Sequence, residues 1–192
     1  NAQLIGTGKN AKDISGELLD TFGTLDSINA KNIADIGRLS AGFGVATKDV
    51  IGLQKALTDT LGVSVNQSEA IINNIGQLAK QEGVAAGKVI EDIAANTEKF
   101  AAFAKGGADG FAQAAIEAAK IGTNLSTILT AADSLLDFES SLTNEFEAQV
   151  LTGKNLNLEK ARQLALDGDI AGLTQEIQKQ VGSMGDLQAM NV

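Results

Sequence analysis

The sequence predicts an all-α fold, in which short amphipathic helices are joined by tight glycine turns into helical hairpins, with no β-sheet. Large apolar residues recur at helical spacing through nearly the whole chain, and no alternating run is long enough to indicate a strand. Proline is absent and glycine accounts for 21 of 192 residues, so glycine is the residue expected to interrupt the helices. A chain of this length can bury a core of ordinary size.

The first helices are predicted from two apolar stripes near the start of the chain. The first stripe consists of Ile14, Leu18, Phe22, Leu25 and Ile28. The second stripe consists of Ile33, Ile36, Leu39 and Phe43. Spacings of three and four residues place each set on one face of a helix, which that helix would bury.

The helix breaks that follow share one form, in which glycine precedes a branched residue and then small or polar residues. The four sequences are FGVATKDVIGLQ, LGVSVNQSEAII, EGVAAGKVIEDI and IGTNLSTILTAA. Glycine after a helix adopts the left-handed conformation without a steric penalty. Ser64, Asn66 or Asn124 can then cap the next helix. With two later breaks, the predicted helix-turn residues are Gly44, Gly62, Gly83, Gly122, Gly153 and Gly168.

The longest apolar stripe lies in the second half of the chain and extends over about seven helical turns. It consists of Leu125, Ile128, Ala132, Leu135, Phe138, Leu142, Phe146 and Val150. The segment LTGKNLNLEKAR follows it, and Gly153 is placed to end the helix there. Asn155 or Asn157 can cap the next helix, with Glu159 in its first turn.

Two regions are expected: a glycine-interrupted helical region over residues 1–82, and a helical-hairpin region over residues 83–192. The residues expected to pack inside a copy or between copies are Phe100, Phe103, Phe111, Leu135, Leu142 and Phe146. The many small residues after residue 84 favour close helix packing over a dedicated surface for self-association. The chain begins without Met and ends within a helical pattern, so we expect a fragment of a longer protein.

Composition excludes several kinds of site. A net charge of −9 argues against a nucleic-acid surface, and the lack of His and Cys removes the usual catalytic bases, thiol nucleophiles and zinc ligands. No apolar run reaches the length of a membrane span. Gly153 and Lys154 do not form a P-loop, because Ala148 stands at the first glycine position and Asn155 at the Ser/Thr position. We expect no catalytic residue, no cofactor and no metal site.

Carboxylate pairs are the remaining resource for acid–base chemistry. Asp133 and Asp137 share a helix face and could bind a cation, whereas Asp137 and Glu139 point to different faces, as do Glu145 and Glu147. A solvated acidic surface is the favoured interpretation. A cell-wall hydrolase that uses paired carboxylates is the last-ranked hypothesis.

Three segments of the second half carry a resemblance to a known family. They are SLLDFESS (134–141), EFEAQVLTGKNLNLEKAR (145–162) and ALDGD (165–169). These segments resemble the tail tape measure proteins of long-tailed bacteriophages. The resemblance covers about residues 83 to 180, while the first eighty residues share only its glycine-interrupted helical style.

The resemblance implies a virion structural protein that sets tail tube length and templates tail assembly. It further implies self-association about the tail axis, contacts with tail tube and baseplate or tail-tip proteins, synthesis in the host cytoplasm, and a location in the tail lumen or tip. A measuring rod is extended, whereas repeated glycine turns fold a chain back. We therefore expect a compact anchoring or oligomerisation region near the tail tip. The alternative is a soluble helical adaptor of bacterial origin that binds another helix.

Overall fold

The computed structural model describes residues 10–24, 28–99, 106–153 and 155–181. About 81% of this part of the chain is helical, in ten α-helices, and none of it forms a β-strand, so the all-α prediction is confirmed. The chain divides into two compact units, Asn1–Glu98 and Lys99–Val192, rather than at residue 82. The boundary falls later because Val89, Ile90 and Ile93 are buried in the first unit's core.

Unit 1 contains five α-helices. They are α1 (Ala11–Phe22), α2 (Ala30–Phe43), α3 (Thr47–Leu61), α4 (Val65–Gln81) and α5 (Ala86–Ala95), followed by a 3-10 turn at Thr97–Lys99. Helix α3 packs against α1, α2, α4 and α5. Its apolar residues Val50, Ile51, Leu53 and Leu57 are fully buried, so α3 forms the centre of the core.

Unit 2 contains the other five α-helices. They are α6 (Gly107–Lys120), α7 (Leu125–Leu136), α8 (Phe138–Thr152), α9 (Glu159–Leu166) and α10 (Ile170–Val181). Helices α6, α7, α9 and α10 pack together, whereas the main helix contact of α8 is with α7. Phe111 is the largest fully buried side chain of the described residues, and five of the six alanines of α6 are buried as well. The small residues of this stretch therefore serve close packing within the unit.

The helices end at left-handed glycines. All six predicted turn glycines have φ between 65° and 79°, and Gly23 and Gly107 also have positive φ. At Gly83, the glycine N–H donates to Lys80 O (3.2 Å) and the Val84 N–H donates to Ala79 O (3.0 Å). This is a Schellman motif, and the same pair of bonds recurs at Gly122 and Gly168. These motifs reverse the chain within a few residues.

Side-chain caps begin several of the helices. Ser64 forms a capping box with Gln67, and Asn124 Oδ1 accepts from the Thr127 N–H at 2.9 Å. Asn66, the other residue considered for the α4 cap, instead lies inside α4 and accepts from Lys31 Nζ at 3.0 Å. Asn157 Oδ1 accepts from the Glu159 N–H at 3.0 Å at the start of α9. Local capping chemistry therefore fixes where these helices begin.

Two glycines allow helices of unit 1 to approach closely. A Cβ added to Gly76 of α4 would lie 2.4 Å from Cζ of Phe43. A Cβ added to Gly87 of α5 would lie 2.6 Å from the carbonyl oxygen of Phe43 and 2.8 Å from that of Gly44. The end of α2 is therefore packed directly against bare backbone of α4 and α5.

None of the described helices has both the length and the hydrophobicity that a membrane crossing requires.

Candidate functional site

The long apolar stripe of the second half is divided by Asp137 and only partly buried. Asp137, with φ −82° and ψ 87°, ends α7, and its side chain accepts hydrogen bonds from the N–H and hydroxyl of Ser140 at the start of α8. Leu125, Ile128 and Leu135 are buried upstream of the break. The expectation of one continuous stripe is therefore wrong, because capping by Asp137 starts a new helix.

The part of the stripe on α8 is exposed. We call it the α8 ridge, and it consists of Phe138, Leu142, Phe146 and Val150, which are 50%, 56%, 68% and 68% exposed. Isolated apolar residues on a surface are ordinary, but a contiguous row of large ones is typical of an interaction site. Four residues at steps of four form one continuous ridge along the helix.

Helix α8 turns its polar face, rather than its ridge, towards α9. Arg162 of α9 donates from Nε to Ser141 Oγ at 2.9 Å and forms an ion pair with Glu145. Glu145 Oε1 also accepts from the Leu158 N–H at 3.1 Å, and Gln149 Nε2 donates to Leu156 O at 2.6 Å. These bonds fix the orientation of α8 and leave its apolar ridge uncovered by the described chain.

The Arg162–Glu145 pair was not predicted from the sequence. A signal for it was present, because Ser141, Glu145 and Gln149 recur at steps of four beside the apolar stripe. Such a polar row on the same helix indicates a second contact face. Its partner, Arg162, lies on α9, beyond the loop that follows α8, so residue spacing alone does not reveal the pairing.

A cleft of about 1080 Å³ lies beside the ridge. Phe138, Leu142 and Phe146 form the main apolar part of its lining. The polar part of the lining, which we call the polar wall, includes Lys160, Gln163, Glu176 and Gln180. A cleft lined by both kinds of residue suits an amphipathic helix, which presents both kinds of surface.

The polar wall of the cleft contains a fixed charge. Glu176 is buried, and its Oε1 accepts from Gln180 Nε2 at 2.9 Å while its Oε2 pairs with Lys160 Nζ at 3.0 Å. The hydrogen bond from Gln180, followed by that from Lys160, lowers the pKa of the Glu176 carboxyl. At neutral pH the Glu176 carboxyl is therefore ionised, and the ammonium group of Lys160 neutralises its charge.

The residues predicted to pack have different environments. Phe111 is fully buried and Leu135 is 8% exposed, so both belong to the core of unit 2. Leu142 and Phe146 lie on the α8 ridge instead, at the protein surface. Phe100 and Phe103 lie outside the described residues. Of the four that the structure describes, two therefore lie together at the candidate site.

The candidate carboxylates have structural partners. Asp133 pairs with Lys99 at 2.9 Å, Asp137 caps α8, and Glu145 is bonded to Arg162 and to the backbone of Leu158. Asp133 lies in the last turn of α7, whereas Asp137 follows that helix with a non-helical ψ of 87° and caps α8, so the shared helix face proposed for a cation does not form. Over the described ranges, no three His, Cys, Asp or Glu side chains are grouped as metal ligands.

The Gly153–Lys154 pair marks the end of α8. Gly153 has φ 66° and donates its N–H to Gln149 O at 2.9 Å. Lys154 lies outside the described residues. The glycine therefore has the role of a helix stop.

A second polar cluster joins α2 and α4 in unit 1. Lys31 Nζ lies 2.7 Å from Asp35 and 2.9 Å from Glu69, and Arg38 pairs with Asp35 at 2.7 Å. Hydrogen bonding to Asp35 and then to Glu69 raises the pKa of Lys31. Burial raises the pKa of Glu69. Burial also opposes ionisation of Asp35, but the hydrogen bond from Lys31 and the other favourable contacts outweigh it and lower the pKa. This cluster ties two helices together.

Comparison of the chain with models of protein families, with curated proteins and with solved structures gave no match.

Proposed function

We propose that this chain is a non-enzymatic structural protein of a bacteriophage tail, corresponding to a compact helical region of a tail tape measure protein. The observation that carries the proposal is the α8 ridge, a row of large apolar side chains held outward by a polar contact face. A structural protein needs such a surface to bind its neighbours. The proposed neighbours are further copies of the chain about the tail axis, together with tail tube and baseplate or tail-tip proteins.

The positions of the family-like segments support this proposal. Residues 134–141 form the end of α7 and the start of α8, residues 145–162 continue through α8 into α9, and residues 165–169 form the turn before α10. Together they supply Phe138, Phe146 and Val150 of the α8 ridge, but not Leu142, and much of the cleft beside it. The segments that resemble the family thus form most of the candidate site.

The short helices favour an anchoring role over a measuring role. The longest described helix, α4, has 17 residues and a length of about 26 Å. A tape measure requires a helix that continues along the tube, whereas Schellman turns reverse this chain repeatedly. We therefore place the region in or near the tail tip within the virion, after synthesis in the host cytoplasm.

Labelling of intact particles tests the proposal. Antibodies raised against the purified chain are expected to bind at one end of the tail in electron micrographs of phage particles from the source culture. Mass spectrometry of the purified particles should also detect the chain, and deletion of its coding region should give particles with missing or abnormal tails. Normal tails after deletion, with no labelling of particles, would refute the assignment.

The cleft favours one alternative, a helical adaptor that binds a helix of another protein. Its apolar and polar lining suits an amphipathic helix whether or not that helix belongs to a virion. Neighbouring genes separate the two hypotheses. Genes for a tail tube and a baseplate protein beside this one would support the tail protein, and genes of an unrelated bacterial pathway would support the adaptor.

A further inference from the structure

We propose that two copies of the chain pair through their α8 ridges. The two helices are antiparallel, and the twofold axis that relates them lies at the level of Asn144 along the helix. The inference rests on the proposed function, since both take the ridge as a surface for self-association. It goes further by assigning the occupant, the orientation and the register of the contact. It also requires an even number of copies wherever such pairs surround one tail axis.

The spacing of the ridge is self-complementary in this arrangement. Phe138, Leu142, Phe146 and Val150 are placed symmetrically about Asn144. When the second helix runs in the opposite direction, Leu142 of one copy faces Phe146 of the other, and Phe138 faces Val150. A twofold interface requires such a pattern, because the same surface must serve both partners.

The charges of α8 favour the antiparallel orientation. The helix carries Glu139, Glu145 and Glu147 and has no basic residue. A parallel pair in register would place each exposed glutamate beside its own counterpart, and like charges in contact are destabilising. In the antiparallel register the two Glu139 side chains lie at opposite ends of the contact, and Glu145 is already paired with Arg162. Antiparallel helices also place opposite dipole ends together.

The exposed area is sufficient for a weak but specific contact. From the fractional exposures and about 170 Å² for a large apolar side chain, the ridge presents roughly 400 Å² in each copy. Two copies would bury at most about 800 Å² of apolar surface, and polar residues beside the ridge would add to the contact. A stable specific interface needs about 1,000 Å² in total. We therefore expect a dimer that forms reversibly as concentration rises.

The centre of the ridge should dominate this contact. Ridges of residues spaced by four pack into each other at a crossing angle near −50°, so the helices diverge away from the crossing point. Leu142 and Phe146 lie on either side of that point. Substitution of these two residues is therefore the most direct test.

Sedimentation equilibrium of the whole 192-residue chain measures the pairing. Interference optics are suitable, because the chain has no Trp or Tyr. The apparent mass should rise from 19.7 kDa towards twice that value between low micromolar and near-millimolar concentration. Leu142→Glu combined with Phe146→Glu should weaken dimerisation at least tenfold and leave the helical circular dichroism unchanged, since both side chains are exposed.

Leu19→Glu is the matched control, because Leu19 is also an exposed apolar residue (42%) but lies on α1. It should leave dimerisation unchanged. Equal loss of dimerisation in the control would overturn the inference by showing nonspecific association. A wild-type chain that stays monomeric would also overturn it. If the wild-type chain were monomeric and the ridge variant were less stable than Leu19→Glu, the α8 ridge would be covered by another segment of the same chain.

Disulfide cross-linking tests the orientation. The chain has no cysteine, so introduced cysteines report without interference. In the antiparallel register, a mixture of Leu142→Cys and Phe146→Cys chains should oxidise mainly to the mixed dimer, because the facing positions come within disulfide range. Predominant cross-linking of each variant to itself would indicate a parallel pair and overturn the proposed register.

These results are separable from those of the particle labelling. A solution dimer that depends on the ridge, in a protein absent from phage particles, would support the pairing and refute the tail function. Labelled tails, together with a chain that stays monomeric in solution, would support the tail function and refute the pairing.

Discussion

Gly52 and Gly62 belong to the same helix and its terminal turn, yet a side chain would affect them in opposite ways. Gly52 lies inside α3, whereas Gly62 follows its last residue with φ 65°. An added Cβ meets no atom within 4 Å at either position, so packing does not distinguish them. Backbone conformation does, because only Gly62 occupies the left-handed region.

Gly62→Ala is therefore expected to lower the free energy of unfolding by about 1–2 kcal/mol, and Gly62→Val by more, because a β-branched residue resists positive φ. Gly122→Val should act in the same direction, since Gly122 has φ 79°. Gly52→Ala, the control, should raise stability by about 0.5–1 kcal/mol. Urea denaturation followed by circular dichroism measures all four. Unchanged stability in both valine variants would contradict the turn model.

The packing glycines, Gly76 and Gly87, should be sensitive to substitution by alanine for a steric reason. Gly87→Ala is expected to destabilise unit 1 by about 1–3 kcal/mol, because its Cβ would press on backbone carbonyls that cannot rotate away. Gly76→Ala should be milder, because its Cβ would meet the ring of Phe43, which can shift. Thermal unfolding of the two variants beside Gly52→Ala gives the order. A larger loss at Gly76 than at Gly87 would show that the Phe43 ring is the more rigid neighbour.

The sequence could predict the turn glycines but not the packing glycines. A turn glycine lies where an apolar stripe ends, and that position can be read along the chain, as at Gly44 and Gly153. The need for glycine at position 76 depends on Phe43, which lies on a different helix and comes into contact only after folding. Local pattern contains the first kind of information and lacks the second.

At the level of helices, α7 and α8 show what periodicity can and cannot predict. The spacing of three and four residues correctly predicts helix on both sides of Asp137. It does not distinguish the buried half, with Leu135 at 8% exposure, from the exposed half, with Phe146 at 68%. Which face of a helix is buried depends on which face contacts the neighbouring helices. In α8 the face that contacts α9 is polar, so the apolar residues stay exposed. The ridge was identified as apolar from the sequence, but its availability follows only from the fold.

The polar contact between α8 and α9 should be a major determinant of unit 2 stability. Arg162→Ala would leave Glu145 unpaired in a site where that side chain is only 12% exposed, so we expect a loss of about 3 kcal/mol. The combination Glu145→Gln with Arg162→Met should lose less, since no charge is left unpaired. Asp133→Ala, which breaks a surface pair, should cost at most about 1 kcal/mol. Equal losses at positions 162 and 133 would contradict the role given to the buried pair.

At the level of the whole molecule, Glu69 in unit 1 and Glu176 in unit 2 should contribute to the pH dependence of stability with opposite sign. Burial raises the pKa of Glu69 above its ordinary value of 4.5, so its contribution to stability is present below that value and is lost as pH rises through the folded-state pKa. Hydrogen bonds lower the pKa of Glu176, so its contribution is present above 4.5 and is lost as pH falls through the folded-state pKa.

Substitution by glutamine tests this difference. Glu69→Gln should gain stability relative to wild type as pH rises above 4.5, although Lys31, Asp35 and Arg38 still face the site. The disadvantage of Glu176→Gln relative to wild type should instead be present above pH 4.5 and shrink as pH falls below that value. Unfolding free energies from about pH 3 to pH 8 cover both windows and give both slopes. Two slopes of the same sign would mean that one of the carboxyl environments is assigned incorrectly.

Domain organisation was the part of the whole molecule least accessible to the sequence. The expected division between residues 82 and 83 falls at the glycine turn of Gly83, which resembles the other turns in form. The actual boundary follows from the burial of Ile90 and Ile93 against the preceding helices. A turn ends a helix, but only the partners of the next helix decide which core it joins.

The tight turns also bear on the order in which the protein acquires its structure. In unit 1 the packed pairs α3–α4 and α4–α5 are successive helices, whereas in unit 2 the first helix, α6, packs extensively against the last, α10. Contacts between sequence neighbours close short loops and form fast, while those between distant segments form more slowly. Pulse-labelled hydrogen exchange during refolding should protect the amides of α3–α5 before those of α6 and α10. Unit 1 would then complete its core before α10 packs against α6 in unit 2.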